Sequence, residues 1–166
     1  DLKYIREKYG SIGNHIKLSF VYPNSLYHEY KSEKTSNDIN ILVGNSATKT
    51  NNHYEILTKL SIYRDKNICI YIPLSYGDKI YAQEIKSKSQ EIFGNKFIDL
   101  NNFIDLNEYI KLLSKIDIAI FNHERQQAFN SIITLIGLGK KVYLNPSSPI
   151  IETLNDNEDW QSREEY

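Results

Sequence analysis

The sequence predicts an α/β fold built on a parallel sheet, and three observations carry that expectation. Apolar runs of strand length recur at Ile39-Asn40-Ile41-Leu42-Val43, Ile68-Cys69-Ile70-Tyr71-Ile72 and Asp117 to Phe121. Between them the apolar period lengthens to every third or fourth residue, the spacing of a helix face. The alternation recurs at intervals that call for right-handed βαβ crossovers, which put a parallel sheet between two layers of helices.

Residues 1 to 38 stand outside this repeat, with a short helix-like start, an apolar strand from Ile16 to Tyr22 and a polar, linker-like stretch from Pro23 to Asp38. The first strand, Ile39 to Val43, ends at Gly44-Asn45-Ser46. A helix follows from Asn51 or Asn52, either one a suitable N-cap, and carries Tyr54, Leu57 and Leu60 or Ser61 inward up to about Arg64. The second strand stops at Pro73, and its helix carries Tyr81, Ile85, Ser89 and Ile92 before closing at Gly94. Lys96 to Leu100 is a weaker third strand, after which Asp105 caps a helix with Leu106, Tyr109, Ile110 and Leu113 on one side. The fourth strand, Asp117 to Phe121, runs through Asn122-His123-Glu124 into a helix from about Arg125, with Ala128, Ile132, Leu135 and Ile136 on one face and Gly137-Leu138-Gly139 at its end. Lys141 to Leu144 is the fifth strand, stopped by Asn145-Pro146.

Composition narrows the function classes. A chain of 166 residues with 40% hydrophobic and 25% charged side chains has the make-up of an ordinary globular domain, which argues against disorder or a disulfide-held scaffold. One Cys cannot form an internal disulfide. Twenty basic residues against twenty-one acidic ones leave a formal charge of −1, so no global cationic field draws nucleic acid. No apolar run reaches the roughly 20 residues of a spanning helix. The absence of Met reads as a processed product or an excised piece of a longer protein.

In an open parallel sheet ligands bind beyond the carboxyl ends of the strands, and two of those loops are chemically rich. Gly44-Asn45-Ser46-Ala47-Thr48-Lys49-Thr50-Asn51-Asn52 offers backbone N–H groups, hydroxyls and a helix N-terminus to a phosphate. It lacks the glycines of a P-loop or of GxGxxG, and its ordinary reading is a set of turn formers and caps. Asn122-His123-Glu124-Arg125-Gln126-Gln127 places four consecutive long polar residues at a helix start where one short oxygen-bearing side chain would cap. Arg125 suits a bidentate grip on a diphosphate or a surface ion pair, and His123 suits proton transfer, a phosphate contact or a plain loop hydrogen bond. Gln126 and Gln127 suit sugar hydroxyls or water. Cys69 lies mid-strand and reads as a small core residue, the scattered histidines show no metal-ligand spacing, and most of the 13 tyrosines read as packing.

Taken together and in order, Ile41-Leu42-Val43-Gly44-Asn45-Ser46, Ile72-Pro73-Leu74-Ser75-Tyr76-Gly77, Arg125-Gln126-Gln127 and Leu144-Asn145 followed by Ser148-Pro149 form a specific pattern. It resembles the C-terminal half of the TDP-4-acetamido-4,6-dideoxygalactose (Fuc4NAc):lipid II transferases of enterobacterial common antigen synthesis, the 4-alpha-L-fucosyltransferases of glycosyltransferase family 56. The likeness covers roughly residues 20 to 155, and Tyr22-Pro23 resembles the family's entry into this half. It implies a GT-B arrangement, two Rossmann-like domains facing a cleft, of which this is the C-terminal, doubly wound one holding the nucleotide-sugar, with no metal and no cofactor. By position, the resemblance puts Gly44, Asn45, Ser46 and Thr48 at the diphosphate, Arg125, Gln126 and Gln127 at the diphosphate or donor sugar, and the base near Leu100 to Phe103. His123 departs from the family pattern. Many GT-B donor domains also place two Glu residues on this helix, one near the sugar and one on the ribose; the corresponding positions here hold Gln127 and Thr134, both uncharged.

The function so implied is the donor-binding half of a glycosyltransferase that moves a deoxyamino sugar from a TDP-sugar to a polyprenyl-diphosphate-linked acceptor, peripheral to the cytoplasmic face of the bacterial inner membrane. Residues 1–22 would be a remnant of the acceptor domain, 23–38 the linker, 39–155 the nucleotide-sugar domain and 156–166 a tail. The fragment alone would be inactive, and no general base is assigned. Two other readings share the architecture: a non-catalytic nucleotide-sugar binding module and a sugar-nucleotide epimerase.

Overall fold

A computed structural model of the chain describes residues 2–12, 37–102 and 104–155. The strand expected at Ile16 to Tyr22, most of the linker and the tail lie outside the described residues. The elements are α1 (Leu2–Tyr9), β1 (Ile39–Val43), α2 (His53–Leu60), β2 (Ile68–Pro73), α3 (Lys79–Phe93), β3 (Phe97–Leu100), α4 (Leu106–Lys115), β4 (Ile118–Phe121), α5 (Phe129–Gly137), β5 (Lys141–Leu144) and α6 (Pro149–Asn155). The five strands form one sheet in the order β3-β2-β1-β4-β5, and every pairing is parallel. This is the α/β, Rossmann-like architecture that the alternating pattern predicts.

Two cores explain why the strands read as apolar runs rather than alternating ones. Ile41 and Val43 of β1, Ile68, Ile70 and Ile72 of β2, and Ile118 and Ile120 of β4 meet Ile56, Leu57 and Leu60 of α2 and Tyr81, Ile85 and Phe93 of α3 on one face. Leu42, Ala119 and Phe121 meet Leu113, Ile132, Leu135, Ile150 and Leu154 on the other. A central strand buried on both sides has no solvent face to make polar.

Helix ends follow local chemistry. Asp78 caps α3 by accepting from the N–H groups of Ile80 and Tyr81, and Asp105 caps α4 through the N–H of Glu108. Gly94, at φ +56°, ends α3 where expected. Three readings of helix faces and starts need correction. Tyr54 is 45% exposed and Leu106 71% exposed, because the inward stripe of α2 is His53, Ile56, Leu57 and Leu60, and Leu106 occupies the solvated first turn of α4. In α3, Ile92 packs partly buried against the core as expected, and Phe93 beside it is buried. The last helix of the pair flanking β4 begins at Phe129, four residues after Arg125, because Ala128 takes a left-handed conformation (φ +56°) that a helix cannot pass through.

Candidate functional site at the β1–β4 crevice

The strand order reverses between β1 and β4. β1 connects outward to β2 through α2, and β4 connects the other way to β5 through α5, so the loops leaving these two neighbours diverge and open a crevice at their carboxyl ends. Both chemically rich loops lie there, and the N-termini of α2 and α5 follow them.

The first loop, Gly44 to Asn52, is organised around a side chain at its own end. Asn51 is fully buried. Its amide nitrogen donates to the Ser46 carbonyl (3.0 Å) and the Thr48 hydroxyl (2.8 Å), and its carbonyl oxygen accepts the Asn45 N–H (3.2 Å). The hydroxyls of Ser46, Thr48 and Thr50 are spaced 3.3 and 3.2 Å apart in a row. The neighbouring loop straps this one down: Ala47 N–H donates to Tyr76 O at 2.7 Å and Asp78 N–H to Ala47 O at 2.8 Å. Gly77, at φ +118°, permits that approach, since a Cβ there would lie 2.5 Å from the Ala47 carbonyl oxygen.

The second loop, Asn122 to Ala128, reaches the first through Gln127. The Gln127 carbonyl oxygen accepts from Thr50 Oγ1 and from Arg125 Nε, each at 2.6 Å, and its amide donates to Asn45 Oδ1 at 3.2 Å. Asn122 joins the same face: its carbonyl accepts from Asn52, its amide donates to Glu55, and its side-chain oxygen accepts from Asn145. Asn45, Ser46, Thr48, Arg125 and Gln127 therefore belong to one connected polar network, with Ser46 buried at its base, and Gly44 supplies its turn at φ +67°. Arg125 and Gln126 are exposed, and the Nε hydrogen bond orients the guanidinium without using its terminal amino groups.

The other expected site residues fall elsewhere. His123 is buried against Phe121, with ring centroids 5.9 Å apart, and neither ring nitrogen has a hydrogen-bond partner of good geometry. Burial lowers its pKa, while the backbone of Arg125 and of His123 itself pulls the other way. Thr134 is buried within α5, five residues and roughly 7.5 Å along the axis from the helix start, so it is not part of the connected surface. Gln127 precedes the helix instead of riding on it. Near Leu100, where a base was expected, a cleft of about 310 Å³ is lined by Ser75, Asp78, Lys86, Asp99 and Asn101 among others. Lys86 pairs with Asp99 at 2.7 Å, and the second Asp99 oxygen is buried without a partner.

Two contributors escape the sequence reading. Asn51, a candidate cap by its position in the sequence, is the staple of its loop. His53, one of the scattered histidines, stands at the first of the positions 53, 56, 57 and 60, the spacing of a buried helical stripe. It is fully buried, its Nδ1 lies 3.2 Å from the Tyr81 hydroxyl, and burial holds its pKa at about 4.

This arrangement, two hydrogen-bonded polar loops and two helix N-termini at a switch point of a parallel sheet, coincides with a match along nearly the whole chain. The model of the 4-alpha-L-fucosyltransferase family, glycosyl transferase group 56, covers residues 1–159 of 166. The chain belongs to this family. No solved structure matches it. As a member of a fucosyltransferase family it serves glycosyl transfer, a reaction between a sugar donor and an acceptor. Among the described residues of this family member, no three His, Cys, Asp or Glu side chains gather to hold a metal ion, and no helix is long and apolar enough to cross a membrane.

Proposed function

We propose that residues 39–155 form the donor-nucleotide domain of a GT-B glycosyltransferase and that the crevice between β1 and β4 holds the diphosphate of a TDP-sugar. The observation that carries this reading is the hydrogen-bonded union of two polar loops, through Gln127, at the point where the strand order reverses. Gly44, Asn45, Ser46 and Thr48 meet the diphosphate, Arg125 and Gln126 face the diphosphate or sugar, and the positive ends of α2 and α5 add to the field. Breaking the bond between the anomeric carbon and the nucleotide builds negative charge on the leaving diphosphate. Donors already fixed in place lower that barrier most, and the pre-oriented Arg125 fork is suited to the task.

In this reading residues 1–22 end the acceptor domain, 23–38 link the two domains and 156–166 are a tail. The whole enzyme transfers a Fuc4NAc-like sugar to a polyprenyl-linked acceptor at the cytoplasmic face of the inner membrane, and this piece alone binds donor without turning it over. Titration of the chain with TDP, UDP and NAD tests the site: tightest binding of TDP supports the reading, and tightest binding of NAD sinks it. In an enzyme that contains both domains, Arg125→Ala lowers kcat/KM by about 100-fold or more with an unchanged melting curve. An unchanged rate removes Arg125 from the mechanism.

A further inference from the structure

His53 is a costly residue for its position. It heads an inward stripe completed by Ile56, Leu57 and Leu60, where a leucine or phenylalanine would pack without polar atoms. Instead the imidazole is fully buried and its Nε2 has no hydrogen-bond partner, an arrangement that lowers stability. The two edges of the ring explain what it does. One edge is held at Nδ1 by the buried Tyr81 of α3. The other lies directly under the first loop: a Cβ built on Gly44 would come within 2.7 Å of His53 Nε2 and 3.0 Å of Asn51 Oδ1. Gly44 thus rests on the imidazole edge and on the staple of its own loop, and its N–H is tied to Ile120 O of β4 at 2.9 Å.

We propose that His53 is a positioning residue for the donor diphosphate, a rigid prop between Tyr81 and Gly44 that sets the height at which the Gly44–Thr48 backbone meets the phosphates. The proposal rests on the donor-site reading above. His53 touches no substrate and acts through Gly44. A neutral, flat ring anchored at one edge does this better than an aliphatic side chain, which would strand the Tyr81 hydroxyl and give the loop no fixed floor.

The two amide replacements separate the edges, because asparagine reproduces the reach of Nδ1 and glutamine that of Nε2. The probe is TDP titrated calorimetrically into the full chain, with urea denaturation run on each variant. His53→Gln keeps TDP affinity within about threefold of the parent, whereas His53→Asn, which no longer reaches Gly44, weakens it about tenfold or more. Equal losses in both variants, or undiminished affinity in His53→Asn, overturn the proposal. Should His53→Asn fail to fold, Tyr81→Phe keeps the packing and removes only the hydroxyl; a several-fold loss of affinity supports the prop, and unchanged affinity overturns it. A parent chain that binds no TDP overturns the donor-site reading and the prop with it, whereas parent binding with insensitive variants overturns the prop alone.

Discussion

In the proposed donor site the two loops of the crevice share one role and differ in construction. The first is built before any ligand arrives: Asn51 is buried inside it, His53 lies under it, and the Tyr76–Asp78 segment straps it from the side. The second is borne outward, with Glu124, Arg125 and Gln126 all exposed and Gln127 reaching across to the first loop as its tie. Both nevertheless end alike, on a left-handed residue immediately before a helix, Asn52 at φ +51° and Ala128 at φ +56°. The difference teaches where stability and function part company. A rigid cradle must be stabilised by buried polar groups, while a charged arm that grips a ligand depends little on the core and contributes little to it.

The largest expected effect is on pH dependence, and it separates the two loops through their histidines. The unfolded chain takes up a proton at His53 as pH falls through about 6.5, whereas the folded chain resists it down to about 4. Stability present above pH 6.5 is therefore lost progressively between those values, to a total of roughly 3 kcal/mol. The His123 shift has the same sign but is opposed by neighbouring backbone. Urea midpoints measured from pH 7 down to pH 4 should fall steeply in the parent and much less in His53→Gln, with His123→Gln close to the parent. If His123→Gln flattens the profile as much as His53→Gln, the two loops are equally desolvated and the contrast between them fails.

A smaller effect tests the staple. Asn51→Ala leaves the Asn45 N–H, the Ser46 carbonyl and the Thr48 hydroxyl without their shared partner in a buried setting, and should cost about 2 kcal/mol. Gln127→Ala breaks three hydrogen bonds at the rim, where water replaces them, and should cost less than about 1 kcal/mol. Equal losses in chemical denaturation would mean that the first loop is no more pre-built than the second.

What was legible in the sequence follows the same division. The five strands, their parallel order of appearance and the caps at Asp105 and Gly94 were readable because burial on two faces and helix-end chemistry leave local marks. The two polar loops are readable because Gly44-Asn45-Ser46 and Asn122-His123-Glu124 follow apolar runs of strand length, but that their strands lie side by side is not. The prop was not. His53 is polar, so a stripe drawn from apolar spacing falls on Tyr54, and no sequence pattern announces that a glycine nine residues earlier needs an imidazole beneath it. Nor does any pattern announce that Ala128 turns left-handed, since alanine is the strongest helix former and its spacing to Ile132 and Leu135 matches a continuous helix.

That last residue offers the subtlest test of the comparison, because it asks whether the second loop is a loop at all. In a right-handed helix, replacing alanine with glycine costs about 1 kcal/mol, and Ala82→Gly at the end of the first turn of α3 should cost that much. At Ala128 the balance differs. Glycine relieves the roughly 1 kcal/mol strain of a left-handed alanine, which offsets the greater freedom of the unfolded chain and the loss of one partly buried methyl group. Ala128→Gly should therefore move stability by no more than about 0.5 kcal/mol. A loss as large as that of Ala82→Gly would place Ala128 inside a helix running from Arg125, and Arg125 and Gln126 would then sit on the first turn of α5 rather than on a loop tied to the first by Gln127.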